Sequence, residues 1–190
     1  EKNWLGWLHI VEEGLEKAGE YAAFADWVRS QGFTDAVVLG MGGSSLGPEV
    51  LSLTYGRQQG FPRLQILDST HPDQIRALEA SIDLAKTLFI VSSKSGSTLE
   101  TDSQRRVYEQ AFTDAGIDPA RRIVVVTDPG SALESVATEA GYPVFTADPT
   151  VGGRYSALTA FGLVPAGLAG ADIEELLDEA DAISMPLAVD

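Results

Sequence analysis

Four short apolar runs, separated by stretches with helical periodicity, limit what this chain can fold into. The runs cover residues 36–39, 64–67, 88–91 and 123–126, and a weaker fifth covers 142–145. Three of the four are apolar at every position, which is typical of parallel strands that are covered on both faces. Strands that alternate with helices in this way predict an α/β domain of three layers with right-handed crossovers.

The stretches between the runs carry recognisable helix starts. In three places a Ser or Asp stands three residues before a Glu, which is the spacing of an N-cap and its reciprocal partner. The pairs are Ser97 with Glu100, Ser131 with Glu134, and Asp172 with Glu175. We divide the chain into two N-terminal helices within 1–31 (4–18 and 21–31), an α/β core at 32–170 and a C-terminal helix at 171–190.

Composition excludes several classes of protein. The chain has 190 residues, of which 44% are hydrophobic and 22% charged, as expected for one globular domain. Its net charge of -15 argues against general binding to nucleic acid or anionic membranes. It has no cysteine, and its longest uncharged stretch, 155–171, is shorter than the roughly 20 apolar residues of a membrane span. With no secretory signal pattern at its start, we expect a cytoplasmic protein.

The first informative loop, Gly-Met-Gly-Gly-Ser-Ser-Leu-Gly-Pro at 40–48, follows a buried run. Its glycines permit a tight turn and close approach of a ligand, and the next helix aims its N-terminus there. Gly40 and Gly42 also match a dinucleotide-binding G-x-G-x-x-G loop, in which Asp68 would bind the ribose. Ser45, however, occupies the third glycine position. A third alternative is that the glycines only make the turn.

The second loop packs five hydroxyls, one ammonium and one glycine into residues 92–98. A helix N-terminus with free N–H groups and several hydroxyls favours a bound phosphate. The alternative is ordinary capping by Ser97 and Glu100. Lys94 either contributes charge to the site or faces solvent.

The third loop, Val-Gly-Gly-Arg-Tyr-Ser at 151–156, precedes an apolar helix. Its glycines allow the guanidinium of Arg154 to reach a negative centre, and Ser156 can cap the next helix. The alternative for Arg154 is an ordinary surface position. All three loops leave carboxyl ends of predicted strands, so we expect them to converge at one edge of the sheet.

Neither histidine offers an obvious catalytic role. His9 lies among aromatic and aliphatic residues, which indicates packing in a core or an interface, and His71 is expected to stabilise a turn before a helix. No spacing of His, Asp and Glu resembles a metal site, and no Ser-His-Asp set is evident. We therefore predict no metal and no cofactor.

Together, the three loops resemble motifs of the glucose-6-phosphate isomerase family and, more broadly, of the sugar-isomerase (SIS) domain. The segments at 40–48, 93–101 and 151–156 are similar to G-x-G-G-S-x-L-G-P, S-K-[ST]-x-[ST]-T-x-E-T and V-G-G-R-[FY]-S, in that order. The resemblance covers about residues 35–185. It implies an α-β-α SIS domain whose five-stranded, mostly parallel sheet has the flavodoxin-like strand order 2-1-3-4-5.

The resemblance also implies roles for particular residues. Gly43 and Ser44 would line a hexose 6-phosphate, and Arg154 would stabilise a cis-enediolate during aldose–ketose interconversion in glycolysis and gluconeogenesis. The phosphate would be held by a set from the second loop, namely Ser93, Lys94, Ser95 and Thr98. A guanidinium directed at developing charge is a common electrostatic contribution to catalysis.

Two groups that the family's mechanism requires have no match in this chain, namely a glutamate base and a ring-opening histidine. The resemblance assigns them to a second SIS domain, a C-terminal region and a neighbouring subunit. We therefore expect a domain of a larger isomerase, with a homodimer as one possible assembly and with little activity when isolated. The alternatives are a non-catalytic module that senses a phosphosugar and an NAD-dependent oxidoreductase.

Overall fold

The computed structural model describes residues 4–187, and the ends of the predicted 1–31 and 171–190 segments lie outside that range. The helices are α1 (Ile10–Ser30), α2 (Gly43–Tyr55), α3 (Pro72–Glu79), α4 (Leu99–Asp114), α5 (Ala132–Ala140), α6 (Ala160–Ala169) and α7 (Ile173–Leu187). The strands are β1 (Asp35–Gly40), β2 (Arg63–Leu67), β3 (Thr87–Ser93), β4 (Ile123–Thr127) and β5 (Val144–Thr146). Short 3₁₀ segments occupy Gly6–Leu8, Leu84–Lys86, Pro119–Arg121 and Gly153–Leu158.

The five strands form one parallel sheet in the order β2-β1-β3-β4-β5, as predicted. β1, β3 and β4 are buried at every position, which explains their apolar runs. The sheet is covered on both faces, so alternate residues of one strand belong to different cores.

Two hydrophobic cores flank the sheet. Val38 and Ile90 point into a core formed with α1, α6 and α7, whereas Val37 and Phe89 point into a core formed with α3, α4 and α5. Phe89 stacks on Tyr108 of α4, with ring centroids 4.1 Å apart. This arrangement confirms the predicted three-layer fold.

The N-terminal segment differs from the prediction. A single helix, α1, replaces the predicted pair at 4–18 and 21–31. The expected break is absent, and Gly19 lies on the solvent side of α1, with no atom near the position that a Cβ would occupy. Ala18, Tyr21 and Ala25 are buried at helical spacing, so packing holds the helix continuous through this glycine.

Two of the three predicted N-caps are confirmed. The Ser131 hydroxyl accepts a hydrogen bond from the Glu134 amide at 3.1 Å, and an Asp172 carboxylate oxygen accepts one from the Glu175 amide at 3.0 Å. All ten residues of α6 are buried, as the apolar stretch predicted. Within residues 4–187 no helix has the length and apolar character needed to cross a bilayer.

Candidate functional site

The centre of the carboxyl edge of the sheet brings the first two loops together. β1 and β3 are neighbours in the sheet, and Gly40 pairs in register with Ser92. The chain leaves β1 toward β2 and leaves β3 toward β4 in the opposite direction, so the switch point in strand order lies between them. Crevices at such points are the usual ligand sites of open α/β sheets.

The first and third loops are in direct backbone contact. α2 begins at Gly43, and a Cβ on this residue would overlap the carbonyl oxygen of Gly153 and lie 3.5 Å from the amide nitrogen of Arg154. Only glycine fits this contact. The third loop is also packed from outside, because Trp7 stacks on Tyr155 with ring centroids 6.2 Å apart. The predicted convergence of the three loops is therefore confirmed.

Both helices that start at this point lack a side-chain cap. The N-cap of α2 is Gly42, which has no side chain to offer, and the hydroxyl of Thr98 makes no capping bond to α4. The first helical hydrogen bond of α4 runs from the Asp102 amide to the Thr98 carbonyl at 3.0 Å. The amides of Leu99, Glu100 and Thr101, which come before Asp102, therefore have no acceptor within the helix. Free amides at a helix N-terminus favour a bound anion.

The hydroxyls of the second loop are linked to one another rather than to the helix. Ser93 is buried and donates to the Thr98 hydroxyl at 3.1 Å. The Ser95 hydroxyl accepts hydrogen bonds from the Ser97 amide and hydroxyl, at 3.2 and 3.1 Å. The predicted cap by Ser97 and Glu100 is wrong, because Gly96 (φ 68°) turns the chain and α4 begins only at Leu99.

Lys94 is partly buried and is bound by acceptors in the loops after β4 and β5. Its ammonium donates to the two carboxylate oxygens of Asp128 at 2.8 and 2.7 Å and to the Asp148 carbonyl at 3.2 Å. The simple alternative of a solvent-facing lysine is therefore excluded. Asp128 follows β4 and Asp148 follows β5, so this one side chain joins three of the loops at the carboxyl edge.

The third loop presents Arg154 to solvent beside the first loop. Arg154 is exposed and forms no ion pair with any residue between 4 and 187. The predicted cap by Ser156 is wrong, since its hydroxyl donates back to the Gly153 carbonyl at 2.7 Å. Thr159 caps α6 instead, accepting from the Phe161 amide at 3.2 Å.

Sequence reasoning missed Asp128, and it counted Ser92 among the five hydroxyls of the second loop without giving it a role. Asp128 is a polar residue directly after a buried strand, and that position was a usable signal. The Ser92 hydroxyl is fully buried and has no hydrogen-bond partner among the described atoms. Its side chain follows Ile90 on the face that carries α6, beside Gly40 at the switch point.

The histidines lie outside this group. His71 caps α3, accepting from the Asp73 amide at 3.3 Å, which confirms the predicted turn. His9 has 70% of its side chain exposed, so the prediction that it packs in the core of this chain is wrong.

An ion-pair cluster on α4 stabilises the helix behind the second loop. Burial by itself would raise the pKa of the Asp102 carboxyl, but hydrogen bonds and charge from Arg105, with Arg106, hold that pKa below its ordinary value. Burial and a hydrogen bond to Glu109 raise the pKa of Tyr142, whose hydroxyl donates to the Glu109 carboxylate at 2.7 Å. These contacts keep α4 in place although its N-terminus is uncapped.

Known proteins with similar sequences are glucose-6-phosphate isomerases. That of Thermus thermophilus is 37% identical over 177 residues, which are 91% of this chain and 41% of the relative. That of a Cyanothece species is 40% identical over 148 residues, 76% of this chain and 28% of the relative. The chain thus spans well under half the length of these relatives.

Solved structures agree with the fold and with the partial coverage. A hypothetical protein from Thermus thermophilus superposes with a TM-score of 0.86 at 35% identity, over 99% of this chain and 45% of the other. A glucose-6-phosphate isomerase from Chlamydia trachomatis superposes with a TM-score of 0.81 at 32% identity, over 90% and 33%. The Vibrio vulnificus NanR protein, at 16% identity and a TM-score of 0.54, shares the fold alone.

The family model for phosphoglucose isomerase matches residues 12–187, a range that contains all three loops of the crevice. The chain belongs to the phosphoglucose isomerase family.

Proposed function

We propose that this chain is the phosphosugar-binding domain of an isomerase that interconverts glucose 6-phosphate and fructose 6-phosphate through a cis-enediolate. The observation that carries the proposal is the uncapped N-terminus of α4, surrounded by hydroxyls and adjacent to the glycine-rich turn at 40–43. Family membership favours this interpretation over the dinucleotide-binding alternative.

The second loop would hold the phosphate. The hydroxyls of Ser93, Ser95 and Thr98 and the free amides at the start of α4 can donate to several oxygens of one phosphate. The dipole of α4, a helix of 16 residues, adds a partial positive charge at the same point. Donors fixed in this way need little rearrangement when the anion binds.

The first and third loops would contact the sugar. Gly43 and Ser44 lie at the start of α2, where the absence of a side chain on Gly43 lets Arg154 come near the crevice. Arg154 has no competing carboxylate within the described chain, so its guanidinium is available to the charge that develops on the enediolate. Proton transfer itself requires an acid–base group.

That acid–base group would be supplied by the parts of the family's longer chain that this segment does not cover. His71 caps α3 through its Nδ1, and His9 is an exposed side chain beside Glu12 at the start of α1. We therefore propose a second SIS domain and a C-terminal region as partners, with a homodimer as the assembly and the cytoplasm as the location.

Calorimetric titration with 6-phosphogluconate tests the proposal. We expect saturable binding that weakens by about ten- to a hundredfold in Ser95→Ala and in Thr98→Val, because a hydrogen bond to a charged group contributes about 1.5–3 kcal/mol. Thr138→Val is a matched control, since Thr138 is an exposed helix threonine on α5. Equal affinity in all four proteins would overturn the phosphate assignment.

The isolated chain is expected to bind sugar phosphate and to convert little or none of it. A coupled assay that measures glucose 6-phosphate formed from fructose 6-phosphate checks this. Full isomerase activity of the purified 190-residue chain would mean that the base lies within it.

A further inference from the structure

The ion pair between Lys94 and Asp128 assigns the lysine of the phosphate loop a different task from contacting phosphate. An ammonium has three N–H donors. In this structure they have three acceptors, the two Asp128 carboxylate oxygens at 2.7 and 2.8 Å and the Asp148 carbonyl at 3.2 Å. No donor of Lys94 remains for a ligand in the crevice.

This pair is well protected from solvent. The side chains of Lys94 and Asp128 are only 19% and 18% exposed. Removing one member of such a pair leaves the other charge partly buried without a counter-ion, which is costly. The pair is therefore unlike an exposed surface ion pair, whose two side chains separate at little cost.

The pair also controls the backbone that carries the phosphate-binding hydroxyls, since Lys94 stands between Ser93 and Ser95. The Asp128 amide donates to the Lys94 carbonyl at 3.4 Å, so the two residues are joined through the main chain as well. One step earlier, the Thr127 hydroxyl donates to the Ser93 carbonyl at 2.7 Å. The loop after β4 thus supports the loop after β3 at two consecutive positions.

Gly96 packs the second loop against the start of α5. It has φ 68°, and a Cβ there would lie 2.9 Å from both the Leu133 amide nitrogen and the Ser131 Cβ. The second loop therefore rests against the start of α5 on one side of Ser95 and is tied to Asp128 on the other. Ser95 itself remains exposed.

We propose that Asp128 is a positioning residue for phosphosugar binding: through the ammonium of Lys94 it holds the second loop in the geometry that lets Ser93, Ser95 and Thr98 grip the phosphate. The inference rests on the proposed function. The lysine neutralises Asp128, which would otherwise repel the ligand, and attaches the second loop to the loops after β4 and β5.

Three variants separate positioning from direct contact, namely Asp128→Asn, Lys94→Met and the double variant, each titrated with 6-phosphogluconate. Direct contact predicts that Asp128→Asn, which frees the ammonium, keeps or raises affinity. Positioning predicts a loss of about tenfold or more in Asp128→Asn, because a misplaced binding group lowers affinity even when its chemistry is intact. Lys94→Met should lose more, since it removes the ammonium that neutralises the Asp128 carboxylate beside the second loop.

The double variant has no change in net charge and gives a second criterion. Positioning predicts that it binds no more weakly than Lys94→Met, because the two residues act as one unit. It also predicts an unchanged dependence of its dissociation constant on salt concentration, whereas loss of a direct charge contact would flatten that dependence. Unchanged or increased affinity of Asp128→Asn would overturn the proposal.

A ligand-free measurement keeps the result separate from the proposed function. Hydrogen exchange of the amides at 95–99 should accelerate in Asp128→Asn, and unchanged exchange would overturn the positioning role whether or not any sugar phosphate binds. If wild type shows no binding while this exchange accelerates, the proposed function fails and the support role stands. Asp35→Asn is the control, because it breaks an ion pair with Arg63 at the opposite edge of the sheet. If Asp128→Asn does not fold, the double variant, which removes both charges of the pair, replaces it in the exchange measurement, and unchanged exchange at 95–99 again overturns the positioning role.

Discussion

Four helices directly follow strands β1 to β4 at the carboxyl edge of this sheet, and their starts are of two kinds. α3 and α5 are capped by side chains, His71 and Ser131, whereas α2 and α4 are not. The capped helices follow β2 and β4, which flank the central strands, and the uncapped ones follow β1 and β3 at the switch point. Side-chain caps are therefore absent at the two helices that begin at the switch point. Of these, α4 leaves the amides of its first turn without a helical acceptor, whereas the first amides of α2 donate to the Met41 and Gly42 carbonyls.

The missing cap lowers the stability of α4, and other contacts of the same helix compensate for it. An N-cap contributes about 0.5–2 kcal/mol to helix stability. α4 lacks one, but it is anchored along its length by buried Tyr108 and Phe112 and by the ion pairs of Arg105. The arrangement leaves the N-terminus of α4 free to bind an anion without loosening the helix.

The largest effect on affinity is expected when α4 is given the side-chain cap that it lacks. Thr98 already has the extended backbone of an N-cap, so Thr98→Asp should satisfy the free amides and stabilise the fold by about 0.5–1 kcal/mol. The same carboxylate should lower affinity for 6-phosphogluconate by about a hundredfold or more, because like charges placed together cost several kcal/mol.

Thr98→Asn is the matched control, since it can cap without charge and should lose less affinity than the aspartate. Calorimetry and chemical denaturation measure the two effects. Retained affinity in Thr98→Asp would mean that the phosphate does not bind at this helix.

The contact between the first and third loops gives the next largest effect. Gly43→Ala should destabilise the chain by about 1–3 kcal/mol and weaken ligand binding, because the new methyl would overlap the Gly153 carbonyl. Gly19→Ala is the control, since that helical position is open and alanine should stabilise it by about 0.5–1 kcal/mol. Unchanged stability and affinity in Gly43→Ala would contradict the contact.

The capped helices should respond in the opposite way to the uncapped ones. His71→Ala removes the cap of α3 and should cost about 1 kcal/mol of unfolding free energy while leaving affinity unchanged. Thr98→Ala should lower affinity without that loss of stability. Equal behaviour of the two variants in denaturation and calorimetry would remove the distinction between the two kinds of helix start.

The smallest expected effect is the loss of α4 stability at low pH. Because the folded-state pKa of Asp102 is lowered by Arg105 and Arg106, its contribution to stability is present above the ordinary pKa of about 3.9 and is lost as pH falls below it. The cap of α5 is a neutral hydroxyl and does not titrate. Hydrogen exchange should therefore show α4 losing protection relative to α5 as pH is lowered, and Asp102→Asn should abolish that difference.

Most of the secondary structure could be predicted from the sequence, because burial imposes a pattern of apolar residues on each strand and helix. The apolar runs at 36–39, 88–91 and 123–126 predicted three parallel strands that the structure buries completely. The cap at Ser131 and the turn at His71 were equally readable, since each depends on a few neighbouring residues. Glycines and hydroxyls in the three loops marked the ends of strands where a ligand can approach.

The sequence by itself thus determined the strands, most helices and the three loops, because these depend on periodicity and on short-range bonds. Only the tertiary structure decided three further matters. Packing carried α1 through Gly19, the left-handed turn at Gly96 left Ser97 outside the helix, and contact with the loops after β4 and β5 turned Lys94 toward Asp128. Each depends on residues far apart in the chain, and no local pattern reports such contacts.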